Sequence, residues 1–451
     1  MKNYSVWKDN YKETNYNSLD KDISCDVLII GGGLTGVSSL FNLRDSGLDV
    51  VLVEQNKIGL GVTSNSTGKL TYLQNDLIDK IRKFYSDSVA LEYINSQIDS
   101  INNICNIIDK YNISCGLEKV NSYIYTNKES EVDSLIDLFN FFKKNGFIVH
   151  KGNHKLVKSK YMFYVSDAYI FNPLKFINGL LKYNKYPIYE NTSIIDMKRC
   201  DDYYVCYTKF NKIKAKYVII ASHYPYFLNP LLFPLKVSLE KSYLSLSSCD
   251  IEPFSLISYS NPFVSMRTYK NNLVYLSNSH SINSDCDMNN FNELLKKISD
   301  LGLSPDYLWS NIDIITSDGI PYIGKINNNL FIGTGYNTWG LSNGFLAGMI
   351  LSELILNNRN QYTDLFNPRR GSLEFVIPYT INAFKSIDGF IKGYCSSFST
   401  KYKCPHLGCK LIYNDVENTF DCPCHGSRFD SSGKCINGPS NKDIVVSNYK
   451  N

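Results

Sequence analysis

An open α/β domain with parallel strands, a second region of mixed strands and helices, and a compact C-terminal unit rich in cysteine and histidine are predicted by the sequence on three observations. The first is the stretch Asp26 to Leu43, DVLIIGGGLTGVSSLFNL, followed by a second apolar run, Val50 to Val53, that ends at Glu54. The second is a pair of later apolar segments, Tyr217 to Ala221 and Leu330 to Ile332, each short and continuous as a buried parallel strand requires. The third is the crowding of five of the thirteen cysteines into the last fifty residues.

Gly31, Gly33 and Gly36 form G-x-G-x-x-G at the end of the first strand. Gly31 permits a tight turn, Gly33 lets a pyrophosphate approach the backbone, and Gly36 lets the helix lie close on the strand, its N-terminus facing the phosphate charge. Glu54, 18 residues past Gly36, stands where a carboxylate accepts hydrogen bonds from ribose hydroxyls and repels a 2′-phosphate. A glycine-rich surface turn can produce the motif alone. Strand, turn, helix, strand and acid in order are what point to dinucleotide binding.

With 43% hydrophobic residues the chain can bury a sizeable core in two or three domains. Its net charge of +4 includes no basic run that would track a phosphate backbone, so nucleic acid is not an expected partner. No apolar stretch suits a signal peptide or a membrane span: Ser352 and Glu353 break the longest, Gly344 to Leu356. A soluble, cytoplasmic protein is expected. The scattered cysteines, Cys25, Cys105, Cys115, Cys200, Cys206, Cys249, Cys286 and Cys395, suit reduced thiols.

In chain order, residues 1 to 24 read as an extended arm. Gly59 to Leu70, GLGVTSNSTGKL, is either a solvated loop or one folded over the ligand, with Ser64, Ser66 and Thr67 as donors. Helices are expected between Asp76 and Lys110, from Glu129 to Asn145, closed by Gly146, and from Phe171 to Tyr183, with a short strand at Tyr123 to Tyr125. His223, just past the strand Tyr217 to Ala221, either faces the ligand or is a loop histidine satisfied by backbone. Leu232 to Ser279 reads as strands, including Val264 to Tyr269 and Leu273 to Leu276. Arg267 is a candidate to clamp a substrate carboxylate or to sit in a structural ion pair, and His280 is a second substrate-side candidate. After Leu330 to Ile332 a glycine-rich turn feeds a helix beginning near Asn343 or Gly344.

The segments DVLIIGGGLTG, VVLVE, YVIIASHYPYF, SMRTY, DGIPYIG and GTGYNTWGLSNG, in this order, resemble the D-amino acid oxidase and glycine oxidase family of FAD-dependent oxidoreductases, over roughly residues 5 to 365. The resemblance implies an α/β FAD-binding (Rossmann-like) domain with an antiparallel α+β substrate domain. It places FAD-binding segments at about 20–75, 150–235 and 310–365, and substrate segments at about 76–150 and 235–310, within a unit spanning 1–370. It implies oxidation of a C–N bond by hydride transfer to the flavin. Gly31, Gly33, Gly36 and Glu54 would hold the ADP half of FAD, with Gly335, Trp339, Gly340 and Leu341 near the isoalloxazine. No cysteine lies within 333 to 344, so the FAD is expected to be non-covalent. A pyridine-nucleotide:flavin reductase would need a second G-x-G-x-x-G in mid-chain, and none is present.

At the C-terminus, Cys404-x-His406 and Cys422-x-x-His425, fifteen residues between them, give two thiolates and two imidazoles. A Cys2His2 zinc staple accepts the same set. The arrangement resembles the small all-β Rieske domain, in which one iron of a 2Fe-2S cluster takes the cysteines and the other the histidines. The resemblance implies that Cys409 and Cys424 form a disulfide and that Gly438-Pro439 belongs to the loop covering the cluster. Phe429 stands where high-potential centres have a tyrosine that donates to a sulfur, so a lower potential is expected; Ser427, the other usual donor, is present. Cys435 is read as a buried thiol. Residues 371–395 would be a linker and 396–451 a truncated Rieske domain leaning on the flavin domain.

FAD takes two electrons at once and the cluster carries one. The combination is expected to be a dehydrogenase of an amine or amino-acid-like substrate that passes electrons singly to a soluble acceptor. No lysine that would activate dioxygen is evident. A redox sensor or electron carrier without turnover is the alternative.

Overall fold

The computed structural model describes residues 1–9, 11–225, 236–282, 287–371, 388, 391, 394 and 399–446. Most of the expected linker, together with Cys286 and Cys395, lies outside the described residues.

Three sheets organise these residues. The first has eight strands, in the order Tyr322–Asn327, Leu330–Thr334, Lys212–Ile220, Ile23–Ile30, Val50–Val53 and Ile188–Tyr189, with Asp196–Cys200 and Tyr203–Tyr207 as a hairpin beside Lys212–Ile220. The strands Leu330–Thr334, Lys212–Ile220, Ile23–Ile30 and Val50–Val53 run parallel, with Val27 to Ile30 fully apolar and buried. At Val27 to Ile30, Val50 to Val53, Val218 to Ile220 and Leu330 to Thr334 the side chains are covered on both faces, which is why the sequence shows continuous runs there. On one face lie the helices Leu34–Asn42 and Gly340–Ile355, packed so closely that a Cβ on Gly348 would come within 2.3 Å of Ser38 Oγ. The Gly340–Ile355 helix starts at the glycine turn itself, earlier than the sequence suggested, with Trp339 at the N-cap position and no side chain capping it.

The second sheet has nine strands and forms a roof, ordered Pro305–Thr316, Val237–Ser248, Asn272–Ser281, Val264–Thr268, Phe254–Ser258, Glu118–Thr126, Tyr161–Ile170 and Lys69–Leu70, with His150–Lys151 beside Tyr161–Ile170. The expected strand at Tyr123 to Tyr125 is the end of a nine-residue one, and Tyr161–Ile170, placed by the sequence division among the FAD segments, belongs to this roof. Helices Leu77–Phe84, Asp87–Lys110 and Val132–Lys144 match the apolar spacing, and Gly146 follows the last at φ +87°. The arm holds one short 3-10 turn, Val6–Lys8, whose Trp7 is buried.

The third sheet has five antiparallel strands, Ser399–Lys403, Lys410–Asn414, Thr419–Asp421, Arg428–Asp430 and Cys435–Asn437, around a small core of Leu411, Phe420 and Phe429. So small a core gains from support. It rests on the other two sheets: Lys241 Nζ pairs with Asp421 Oδ2 at 2.6 Å, Ser310 N donates to Glu417 Oε1 at 3.0 Å, and Asn441 Nδ2 donates to Ile195 O at 3.3 Å. Among the described residues no helix is long and apolar enough to cross a membrane.

Candidate functional site

One large cleft runs between the parallel sheet and the roof, enclosing about 1940 Å³ including its open mouth. At one end is the glycine turn. Gly31 has φ +111°, and a Cβ there would meet the Ala221 carbonyl at 2.8 Å; a Cβ on Gly36 would lie 1.9 Å from Gly31 O. Gly31 and Gly33 line the cleft, and Gly36 sits behind them as the close-packing residue. Glu54 Oε2 accepts from Gly32 N at 2.7 Å and Oε1 from Asn56 N at 2.8 Å. Burial pushes the Glu54 carboxyl up, and these two amides oppose the shift.

The hydroxyl-rich loop folds over the cleft, with Ser66 and Thr67 on its wall. Ser64 is not: it is wholly buried and its Oγ donates to Gly61 O at 2.8 Å. Thr63 lines the cleft instead, and its Oγ1 accepts from Leu34 N at 3.2 Å. Beyond the second glycine turn, where Asn337 and Thr338 have φ of 51° and 70°, Trp339, Gly340 and Leu341 line the cleft. The N-terminal end of the Gly340–Ile355 helix is thereby directed at it. Gly335 stands back from the wall, where its φ of +75° and a Cβ distance of 2.6 Å to Thr316 Cγ2 require glycine.

His223 does face the cleft. Its ring bonds the Ile312 backbone, Nε2 has no partner, and burial lowers its pKa to about 4, so it is neutral. Trp339 Nε1 and Asn75 Oδ1, on the same walls, are buried and equally without partners. A cleft with a phosphate-sized backbone cradle at one end and unsatisfied donors and acceptors at the other fits FAD.

The two substrate-side candidates do not face the cleft. Arg267 is 1% exposed, and its guanidinium donates to the carbonyls of Thr268 at 2.7 Å, Phe171 at 3.0 Å, Thr67 at 3.2 Å and Gly68. A guanidinium cut off from water must satisfy its donors inside the protein, and this one braces the Thr67–Gly68 loop. His280 donates from Nδ1 to Ser281 O at 2.7 Å, its Nε2 is 2.9 Å from the Tyr243 hydroxyl, and its ring stacks on Tyr243. Both nitrogens are engaged. A lysine, by contrast, does stand on the wall: Lys69 is 5% exposed, donates to Leu256 O at 2.8 Å and Ser265 Oγ at 2.6 Å, and burial, followed by the charge of Arg267, holds its pKa well below the usual range.

In the third sheet the loops Cys404–Cys409 and Cys422–Ser427 repeat one hydrogen-bond pattern. Cys404 N donates to Cys409 O and Gly408 N to Cys404 O; Cys422 N donates to Ser427 O and Gly426 N to Cys422 O. Gly408 and Gly426 have φ of 77° and 73°. Cys409 and Cys424 are disulfide-bonded and tie the loops together. Cys404 and Cys422 hydrogen-bond to each other, which draws the Cys404 thiol down to about 7 and pushes Cys422 up. The rings of His406 and His425 lie 5.2 Å apart, and His425 Nδ1 is buried with no partner. Two thiols on one side, two imidazoles on the other and an orphaned ring nitrogen fit a 2Fe-2S cluster held by Cys404, Cys422, His406 and His425. Ser427 hydrogen-bonds Cys404, Phe429 is wholly buried, and Cys435 donates from Sγ to Ser440 O at 3.1 Å as a buried thiol.

The two sites share a wall. Ile436, Asn437, Gly438 and Pro439 line the same cleft as Gly31 and Trp339. The residues after Glu54 hold them there: Asn56 Nδ2 donates to Cys435 O at 3.0 Å and Gln55 Nε2 to the same oxygen at 3.3 Å. Tyr224, 6% exposed and on the cleft wall, has its ring 5.9 Å from that of His425.

Comparison with known proteins agrees with this geometry. Residues 26–354 match the family model described as FAD dependent oxidoreductase, and residues 394–450 the Rieske [2Fe-2S] domain. A protein of Bacillus subtilis (strain 168) named as a Rieske 2Fe-2S iron-sulfur protein, YhfW, is 28% identical, over 98% of this chain and 96% of its own. The gamma-glutamylputrescine oxidoreductase of Escherichia coli (strain K12) is 23% identical over 81% of this chain and 92% of its own. The structure of glycine oxidase from Geobacillus kaustophilus superposes with a TM-score of 0.65 at 19% identity, covering 77% of this chain and 99% of that one.

Proposed function

The chain belongs to the FAD-dependent oxidoreductase family, with a Rieske [2Fe-2S] domain at its C-terminal end, and from that premise we propose that it is a dehydrogenase of an amine or amino-acid-like substrate whose electrons leave singly to a soluble acceptor. When bound, FAD accepts the hydride of a C–N bond and the cluster carries electrons one at a time. In this reading Gly31, Gly33, Glu54, Ser66 and Thr67 hold the ADP half of the cofactor, and Trp339, Gly340 and Leu341 lie at its flavin end. Neutral His223 offers Nε2 to the flavin end as an acceptor. Cys404 and Cys422 take one iron, His406 and His425 the other. The cytoplasm is the compartment that suits the seven cysteines among the described residues that neither the cluster nor the disulfide uses.

The observation that carries the proposal is the shared wall. Residues 436–439 close the flavin cleft, and Tyr224 links that cleft to the ring of His425. The cluster unit therefore forms part of the wall of the flavin cleft, which gives an electron a protein route from one site to the other. The test is an anaerobic titration of the holoprotein with amines and amino acids, following flavin absorbance and the cluster EPR signal together. The expected result is a Rieske-type signal that grows as the flavin bleaches. A flavin reduced by substrate beside a silent, iron-replete cluster would refute the relay.

A further inference from the structure

The roof presents a second set of side chains to the cleft. Val237–Ser248 and Pro305–Thr316 pair antiparallel with Glu240 opposite Asp313 and Ser242 opposite Asn311. Residues two apart on a strand share a face, so these four look the same way. Lys241 and Ile312 between them look the other way, toward Asp421 and Gly426. Ser242, Asn311 and Asp313 line the cleft.

Two of their polar atoms have no hydrogen-bond partner. Asn311 Nδ2 donates to Asp313 Oδ2 at 3.1 Å, which fixes the amide and leaves Asn311 Oδ1 as an acceptor with no partner. Ser242 Oγ has none either, and the two residues are 5% and 4% exposed. Carboxylates directly opposite each other on paired strands repel, yet among the described residues no cation forms an ion pair with Glu240 or Asp313. Glu240 accepts instead from Ser279 Oγ at 3.1 Å, and Ser279 also lines the cleft. Burial, and after it the charge of Glu240, raise the Asp313 pKa to about 7, as expected of a carboxyl lacking a counter-ion. Among the described residues lining the cleft there is no arginine, and the one lysine, Lys69, donates to Leu256 O and Ser265 Oγ.

We propose that Asp313, Asn311 and Ser242 form a cation site that holds the ammonium group of the substrate, so that the enzyme selects cationic amines over amino acids presented by their carboxylate. An ammonium offers three N–H donors and no acceptor, and these residues offer a carboxylate, an amide oxygen and a hydroxyl oxygen. A substrate carboxylate would meet the like charge of Asp313 and the unpartnered oxygen of Asn311, with only the Ser242 hydroxyl free to turn and donate to it. The inference rests on the function proposed above and narrows its substrate class.

The test is calorimetric titration of FAD-loaded, cluster-loaded protein with n-butylammonium and, separately, with butyrate, in the wild type and in Asp313→Asn. The wild type is expected to bind n-butylammonium at least about tenfold more tightly than butyrate. Asp313→Asn is expected to lose about tenfold or more of that affinity, the size of one charge-assisted hydrogen bond, at unchanged flavin and iron content. Butyrate binding as tightly as n-butylammonium, neither ion binding, or an unaffected Asp313→Asn would each overturn the cation site. The wild-type comparison decides even if the variant does not fold. Failure of the proposed function reads differently: it would be a flavin that no amine or amino acid reduces.

Discussion

Replacing Lys241 by Met removes one partner of the ion pair that seats the cluster domain. Lys241 and Asp421 are 4% and 13% exposed and their atoms are 2.6 Å apart, so water replaces the lost partner poorly. Removing one member of a buried pair costs about 3–5 kcal/mol. Asp421 keeps Arg428 Nε at 3.0 Å, which places Lys241→Met near the lower end, about 3 kcal/mol. Asp421→Leu strips both cations of this carboxylate and belongs at the upper end, about 5 kcal/mol. The double variant leaves no unpaired charge at that spot, since Arg428 still holds Glu417 at 2.8 Å, and it recovers more than half of the summed loss. Urea denaturation of the holoprotein, followed through the cluster's visible circular dichroism and separately through flavin fluorescence, measures all four corners of the cycle. The same variants slow cluster reduction after the flavin is reduced by light, because the Tyr224 to His425 contact depends on the same seating. Single variants within about 0.5 kcal/mol of wild type, or a double variant equal to the sum of its parts, would refute the argument.

Gly36→Ala yields protein with an intact cluster signal and no flavin absorbance, because the new Cβ would lie 1.9 Å from Gly31 O and the first helix must leave the turn; flavin and iron analysis of the same preparation checks it. In apoprotein, Asp313 has a folded pKa near 7 against an ordinary 3.8, so its contribution to stability is full below about pH 4 and is lost as the pH rises through 7. Asp313→Asn flattens the denaturation midpoint across that window, and an unchanged slope would mean the carboxyl titrates normally. Phe429→Tyr supplies a hydroxyl beside the cluster and raises its midpoint potential, read by redox titration of the EPR signal. A fall in potential would show that the hydroxyl does not reach a sulfur.

What the sequence discloses here follows from how local each determinant is. The dinucleotide turn and the two cysteine-histidine loops are written in fewer than ten residues each, and backbone geometry demands their glycines, so Gly31, Gly36, Cys404 and His425 stand where spacing put them. Arg267 reads in the sequence as a substrate clamp or an ion-pair partner, and its actual partners include carbonyls of residues 67, 68 and 171, which a linear reading cannot bring together. Ser64 and Ser66 are two residues apart in a hydroxyl-rich loop, and only the 3-10 turn Val62–Asn65 decides that Ser64 turns inward. The cation site is the hardest case. Strands Val237–Ser248 and Pro305–Thr316 are far apart in the chain, and the signal is a register: Glu240 against Asp313 and Ser242 against Asn311. A slip of Val237–Ser248 by one residue would turn Lys241 into the cleft in place of Glu240 and Ser242 and set a cation beside Asp313. The register is pinned from outside, by Lys241 on Asp421 and Ser310 on Glu417. The contacts that seat the cluster domain therefore also hold the acidic face toward the substrate, so loosening that seat should weaken ammonium binding and electron transfer together.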